Sequence, residues 1–120
     1  VLLARVFAGE PEIVLADEPV AALDPAHQLM VMSSFRQFVD AGGAAIIALH
    51  DLSIAARYCS RLALLRGGRL IARDSPDKVL TEARLASVYG IKATLGRDEN
   101  GYLTIAPYAL VRGENCQVCD

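Results

Sequence analysis

No apolar run in this sequence is long. The longest extends only from Ala44 to Leu49, whereas a bilayer-spanning helix needs about 20 apolar residues, so no segment has the makings of a membrane-crossing helix. Lysine is scarce. Lys78 and Lys92 are preceded by Asp77 and Ile91, so there is no Gly-Lys-Ser/Thr loop of the kind that cradles nucleotide phosphates. The three cysteines, Cys59, Cys116 and Cys119, are too few and too unevenly spaced for a disulfide framework, which fits a reducing cytoplasm. A net charge of −2 gives no electrostatic reason to expect nucleic acid as a partner. Internal repeats and low-complexity segments are missing too. The chain begins with Val1 and lacks the basic start and cleavage site of a signal peptide, and the start reads as a cut inside a longer chain.

The 120 residues are 53% hydrophobic and 22% charged, the balance of one globular domain at most. Val1 to Ala8 reads as the end of a helix stopped at Gly9. Ile13-Val14-Leu15-Ala16 is a continuous apolar run, as is Ala44 to Leu49. Runs of this kind suit strands of a parallel sheet buried on both faces. Between them, Asp24-Pro25 predicts a helix start, and Leu29, Met32, Phe35 and Val39 fall on one helical face before Gly42-Gly43. A further helix is expected from Asp51 to about Ser60. Gly67-Gly68 predicts a hairpin joining Arg61–Arg66 to Arg69–Arg73. Ser75-Pro76 and Thr81 each open a short helix, the second ended by Gly90. Ile91 to Leu95 and Tyr102 to Ala106 form a candidate hairpin, and Arg112 to Asp120 a polar tail. The strand–helix alternation predicts an α/β class, with a mostly parallel sheet, flanking helices and a small C-terminal hairpin.

The chemically capable residues follow the strand ends, where open α/β sheets bind ligands. Asp17 and Glu18 leave the first buried strand together. Carboxylates drawn from water need a cation or hydrogen bonds, and Mg²⁺ beside a nucleotide phosphate is one such cation. Asp17, continuing the strand, would hold the metal, and Glu18 would turn toward an attacking water as general base. Taken alone, the pair reads as well as two solvated acids at a strand top. Asp24 is at least an N-cap. His50, directly after the second buried strand, can donate a hydrogen bond to a phosphate oxygen or simply sit at the surface.

Together these segments resemble the ATP-binding subunits of ABC transporters. Ile13 to Pro19 is similar to the Walker B strand, Ala22-Leu23-Asp24 to the D-loop, Leu49-His50-Asp51 to the loop bearing the switch histidine, and Val1 to Arg5 to the helix after the LSGGQ-type signature. Order and spacing match over Val1 to Ile91. The resemblance implies the C-terminal portion of a P-loop NTPase domain over residues 1–91 and a C-terminal extension over residues 92–120. It implies ATP and Mg²⁺ as cofactors, Asp17 on Mg²⁺ through water, Glu18 polarising the attacking water, and His50 on the γ-phosphate. Asp24 would act across a head-to-tail dimer of two ATPase subunits. Transmembrane permease subunits, and indirectly a substrate-binding protein, are the further partners implied, with the subunit peripheral on the cytoplasmic face of the membrane. The chain departs from the family in Val20, where Ser or Thr is usual, and in lacking the phosphate loop, Q-loop and signature. A fragment inactive alone is therefore expected, with an apolar sheet edge and face uncovered.

Ser75 to Thr81, with Leu85 and Val88 to Ile91, resembles the end of importer ATPases for iron–siderophore, haem and cobalamin uptake, and so does Ala21 to Gln28. The alternatives are a non-transporter ABC ATPase of the DNA-repair or translation type, an inactive truncated subunit, and a metal-dependent phosphohydrolase using His50-Asp51. His27 reads as a surface helix residue, Cys59 as a small core residue, and Cys116 and Cys119 as part of a flexible tail.

Overall fold

The computed structural model describes residues 12–111. The expected helix over Val1 to Ala8 and the pair Cys116 and Cys119 lie outside the described residues. The chain divides into two compact units, Val1–Asp51 and Leu52–Asp120.

The first unit is a strand–helix–strand crossover. Strand β1 (Ile13–Asp17) pairs in parallel with β2 (Ala44–Ala48), Ile13 opposite Ala44 through Asp17 opposite Ala48. Parallel neighbours need a long connection, and helix α1 (Pro25–Asp40) supplies it. Its start is built locally. Asp24 stays extended and its side chain accepts the His27 N–H at 2.8 Å. Pro25 fills the first helical position, where no N–H is needed. At the other end Gly42 has φ +107°, a conformation that residues with a Cβ rarely adopt, and a Cβ on Gly43 would lie 2.5 Å from the Phe38 ring. Both glycines are therefore required where the chain turns back into β2.

Helix α1 packs on β2 and buries Met32 and Phe35, two of the four residues expected on its inner face. Leu29 stays half exposed. The two strands differ from the expectation of burial on both faces. Val14 is buried, but Ile13 is 61%, Leu15 74% and Ile46 68% exposed. Successive strand residues point to opposite sides, so α1 covers one face, and no other described element of this unit covers the second.

The second unit begins with α2 (Leu52–Tyr58). Strands β3 (Leu62–Arg66) and β4 (Arg69–Asp74) form the expected antiparallel hairpin around Gly67 and Gly68, both with positive φ. Short helices α3 (Pro76–Val79) and α4 (Glu82–Arg84) follow, and α4 runs into α5 (Leu85–Tyr89), which has the wider π spacing and ends at left-handed Gly90. Thr81 caps α4 by accepting the Arg84 N–H at 3.2 Å. Strands β5 (Ile91–Arg97) and β6 (Leu103–Leu110) close the unit as a second antiparallel hairpin. Both strands run longer than the sequence suggests. The register shifts between Lys92 and Ala93, opposite Pro107 and Ala109, so a proline is accommodated at an irregularity of the ladder.

The α/β class holds, with β1 and β2 as the parallel part among the described residues. The other four described strands are antiparallel, because two-residue and short turns join only antiparallel neighbours. The core of this unit runs from Ala56 on α2 through Leu64, Leu80 and Leu85 to Ala93, Leu103 and Ile105 on the last hairpin. Residues after Ile91 thus share one core with residues 52–91.

Polar contacts fasten that hairpin to α2. The Ser53 hydroxyl donates to the Ile105 carbonyl and accepts the Ile105 N–H, both at 3.2 Å. Arg57 forms an ion pair with Asp98 and lies 5.1 Å from the Tyr102 ring centroid. Asp98 also accepts the N–H groups of Asn100 and Tyr102 at 2.8 and 3.0 Å. Partial burial pushes the Asp98 carboxyl upward, but the Tyr102 and Asn100 N–H groups and the Arg57 charge outweigh it and hold its pKa below the usual aspartate value. A carboxyl depressed in the folded state adds stability above its unfolded pKa and loses it as pH falls through the folded one. Asp98→Asn should therefore lower the thermal midpoint of this unit at neutral pH. The gap from the unaltered chain should close below the ordinary aspartate range in a pH series of melts, and a gap that stays constant on acidification would contradict the assignment.

Candidate functional site

The candidate site is the C-terminal tip of the β1–β2 ladder. Asp17 is the last residue of β1 and is exposed. The ladder extends one step beyond it, because the Glu18 N–H donates to the Ala48 carbonyl at 2.8 Å. Glu18 then takes φ +48°. A residue with a Cβ is uncommon there, and the turn breaks the alternation of side chains that β1 would otherwise continue. The Glu18 carboxylate is brought against the imidazole of His50, Oε1 against Nε2. His50 lies just past the end of β2. The pair is open to solvent, with the imidazole 87% exposed.

The loop from Glu18 to Asp24 folds on itself. The Ala21 N–H donates to the Glu18 carbonyl at 3.1 Å and the Leu23 N–H to the Val20 carbonyl at 3.3 Å. Ala22 takes φ +62°, a second left-handed residue within five positions of the first. Val20 is buried at 6% exposure, and its carbonyl also accepts from the Gln28 side chain at 3.3 Å. The absent hydroxyl at position 20 thus has a physical counterpart: the position is apolar, and a hydroxyl buried there would need a partner of its own. Asp24 makes no hydrogen bond or ion pair with Glu18 or His50. It caps α1 and binds His27, whose Nδ1 lies 2.8 Å from Oδ1. The backbone N–H and side chain of His27, together with the Ala26 N–H, outweigh desolvation and hold the Asp24 carboxyl below its usual range.

The structure therefore joins Glu18 to His50 and sets Asp17 one residue away on the same strand end, while Asp24 stands apart at the head of α1. Among the described residues no group of three or more His, Cys, Asp or Glu side chains gathers as a metal cage. A lone exposed carboxylate still suits Mg²⁺, which takes one or two protein carboxylates and otherwise waters and phosphate oxygens. The partnership of His27 with Asp24 escaped the sequence reading, although an acidic N-cap with histidine three residues on places the two groups within reach.

No protein-family model matches the chain. It is 47% identical over 91 residues to the Hemin import ATP-binding protein HmuV of Pseudomonas entomophila, covering 75% of this chain and 36% of that protein. The identity to the protein of the same name from Streptomyces coelicolor is 46% over 89 residues, covering 74% of this chain and 32% of that one. For Pseudomonas aeruginosa it is 40% over 97 residues, with coverages of 80% and 38%. The chain thus spans about a third of the length of these curated relatives. Among solved structures, one described as an inward-facing conformation of a metal-chelate type ABC transporter superimposes with TM-score 0.77 at 21% identity, covering 89% of this chain and 44% of that one, a likeness of fold. Another, cbiO1 from Clostridium perfringens, part of the ABC transporter complex cbiONQ, gives TM-score 0.59 at 31% identity, with coverages of 71% and 34%.

The left-handed Ala22 gives a test of the loop geometry. An L-residue there is disfavoured by about 1–2 kcal/mol, a penalty glycine escapes. Ala22→Gly should leave stability equal or raise it by up to about 1 kcal/mol, despite the extra freedom of the unfolded chain. Ala22→Val should lower it. Denaturant midpoints of the two variants check this, and the reverse order would exclude a left-handed residue at position 22.

Proposed function

The chain belongs to the ATP-binding proteins of ABC transporters, of which it spans about a third, and from that premise we propose that the β1–β2 tip is the metal-and-base half of an importer's ATP-hydrolysing site. The observation that carries the proposal is the pairing of Glu18 with His50 at the end of a parallel ladder, one residue from Asp17. A nucleotide triphosphate would be held by a phosphate loop from outside this sequence, which has no Gly-Lys-Ser/Thr. Bound magnesium would supply charge neutralisation for the phosphate oxygens.

Each side chain has a defined task in this reading. Asp17 offers a hard oxygen to the metal, directly or through water. His50 donates a hydrogen bond from its imidazole. Its Nε2 lies against the Glu18 carboxylate. A γ-phosphate oxygen would compete for that donor and release Glu18 to accept a proton from the attacking water. The catalytic gain comes from positioning and electrostatics around a loose phosphoryl transition state. Asp24, standing apart at the head of α1, would face a second ATP-binding subunit in a head-to-tail dimer. Permease subunits, and beyond them a substrate-binding protein, complete the importer on the cytoplasmic face of the membrane. Relatives named for hemin import favour haem among the iron-containing cargoes.

The test uses a complete subunit in which this segment replaces its counterpart in the Pseudomonas entomophila protein, the identity of 47% over 91 residues making the exchange practicable. Glu18→Gln should keep ATP binding within about twofold and lower turnover by about 10²-fold or more. Undiminished hydrolysis would remove Glu18 from the mechanism. His50→Ala should lower turnover by about 10- to 100-fold, and a normal rate would reduce His50 to a surface residue.

A further inference from the structure

Helix capping leaves one feature of the first unit unexplained. An N-cap aspartate needs one backbone N–H to do its work, and Asp24 has it from His27 at 2.8 Å. The same oxygen, Oδ1, also meets the Nδ1 of that histidine at 2.8 Å. Two donors from one residue thus converge on one carboxylate oxygen, although both side chains are largely exposed, at 62% for His27 and 59% for Asp24. An exposed aspartate held by a single bond retains several orientations about its side-chain torsions. Two donors fixed to one oxygen remove most of that freedom before any partner arrives, and they leave Oδ2 unclaimed by His27. A group fixed in advance gives a stronger and faster contact than one ordered on encounter. For Nδ1 to donate it carries the proton, and in the neutral ring Nε2 is then an acceptor.

We propose that His27 is a positioning residue for Asp24, holding its carboxylate through Nδ1 in the orientation used against a second ATP-binding subunit. The proposal rests on the role given to Asp24 above. Asparagine at position 27 would set its amide nitrogen near the place of Nδ1, whereas glutamine carries its amide nearer to Nε2. The side chain at position 27 therefore acts through a donor at one defined place, a requirement that surface packing does not impose.

In the exchanged subunit described above, ATP turnover is measured against ATP concentration for Asp24→Ala, His27→Ala, His27→Asn and His27→Gln, with thermal melts alongside. His27→Ala should lower kcat about fivefold, the effect of one net hydrogen bond, with KM for ATP within about twofold and the melting midpoint nearly unchanged. His27→Asn should restore kcat to within about twofold of the unaltered protein, and His27→Gln should resemble His27→Ala. If Asp24→Ala is impaired while His27→Ala turns over normally, the positioning role falls and the reading of Asp24 stands. If Asp24→Ala itself turns over normally, both fall. Equal impairment of the alanine and asparagine variants would also overturn the proposal, since the Nδ1 donor would not be what matters.

Discussion

The parallel register of β1 with β2 is the constraint on which the candidate site depends. Asp17 stands opposite Ala48, and the Glu18 N–H continues the ladder onto the Ala48 carbonyl. That one added bond fixes where the chain leaves the strand, and the left-handed turn at Glu18 decides which way its carboxylate goes. A slip of one residue would exchange the faces of every side chain on β1. Val14 would lose its burial, and Glu18 would no longer meet His50. The apolar pattern of the strand and the chemistry at its tip are therefore held by the same register.

The connection between strands does more than close the crossover. It contains two left-handed residues, Glu18 and Ala22, and the buried Val20 between them. Strain of this kind persists only where surrounding bonds over-determine the backbone. Here they are the two short turns closed by Ala21 and Leu23 and the Gln28 side chain on Val20. The loop ends in Asp24, whose carboxylate serves the helix and binds His27 at once. A residue with a helix-capping role thereby also engages a side chain at the surface.

The second unit follows a different logic. Its described residues form no long helix, and its core depends on bringing α2 and the last hairpin together around Leu80 and Leu85. The polar bonds of Ser53 to Ile105 and of Arg57 to Asp98 lock this arrangement across a long stretch of chain. The open apolar face of β1 and β2, with Ile13, Leu15 and Ile46 exposed, belongs to a chain that covers about a third of its relatives' length. Apolar strand faces of this kind are ordinarily covered on both sides in α/β proteins.

The sequence by itself determined the local features. Asp24-Pro25 fixed the start of α1, Gly42-Gly43 its end, Gly67-Gly68 the first hairpin and Gly90 the end of the last helical turn, because caps, rings and absent side chains act on neighbouring residues. The motif order around Asp17, Glu18 and His50 was legible for the same reason, since each motif is a short contiguous string. Strand lengths after Ile91 were not, because continued pairing past Leu95 and the shift at Pro107 depend on the opposite strand. Only the tertiary structure decided that Glu18 meets His50 and that Arg57 reaches Asp98. Adjacent residues dictate backbone conformation through short-range sterics and hydrogen bonds. Which side chains touch across the chain depends on register, turn direction and which faces are covered.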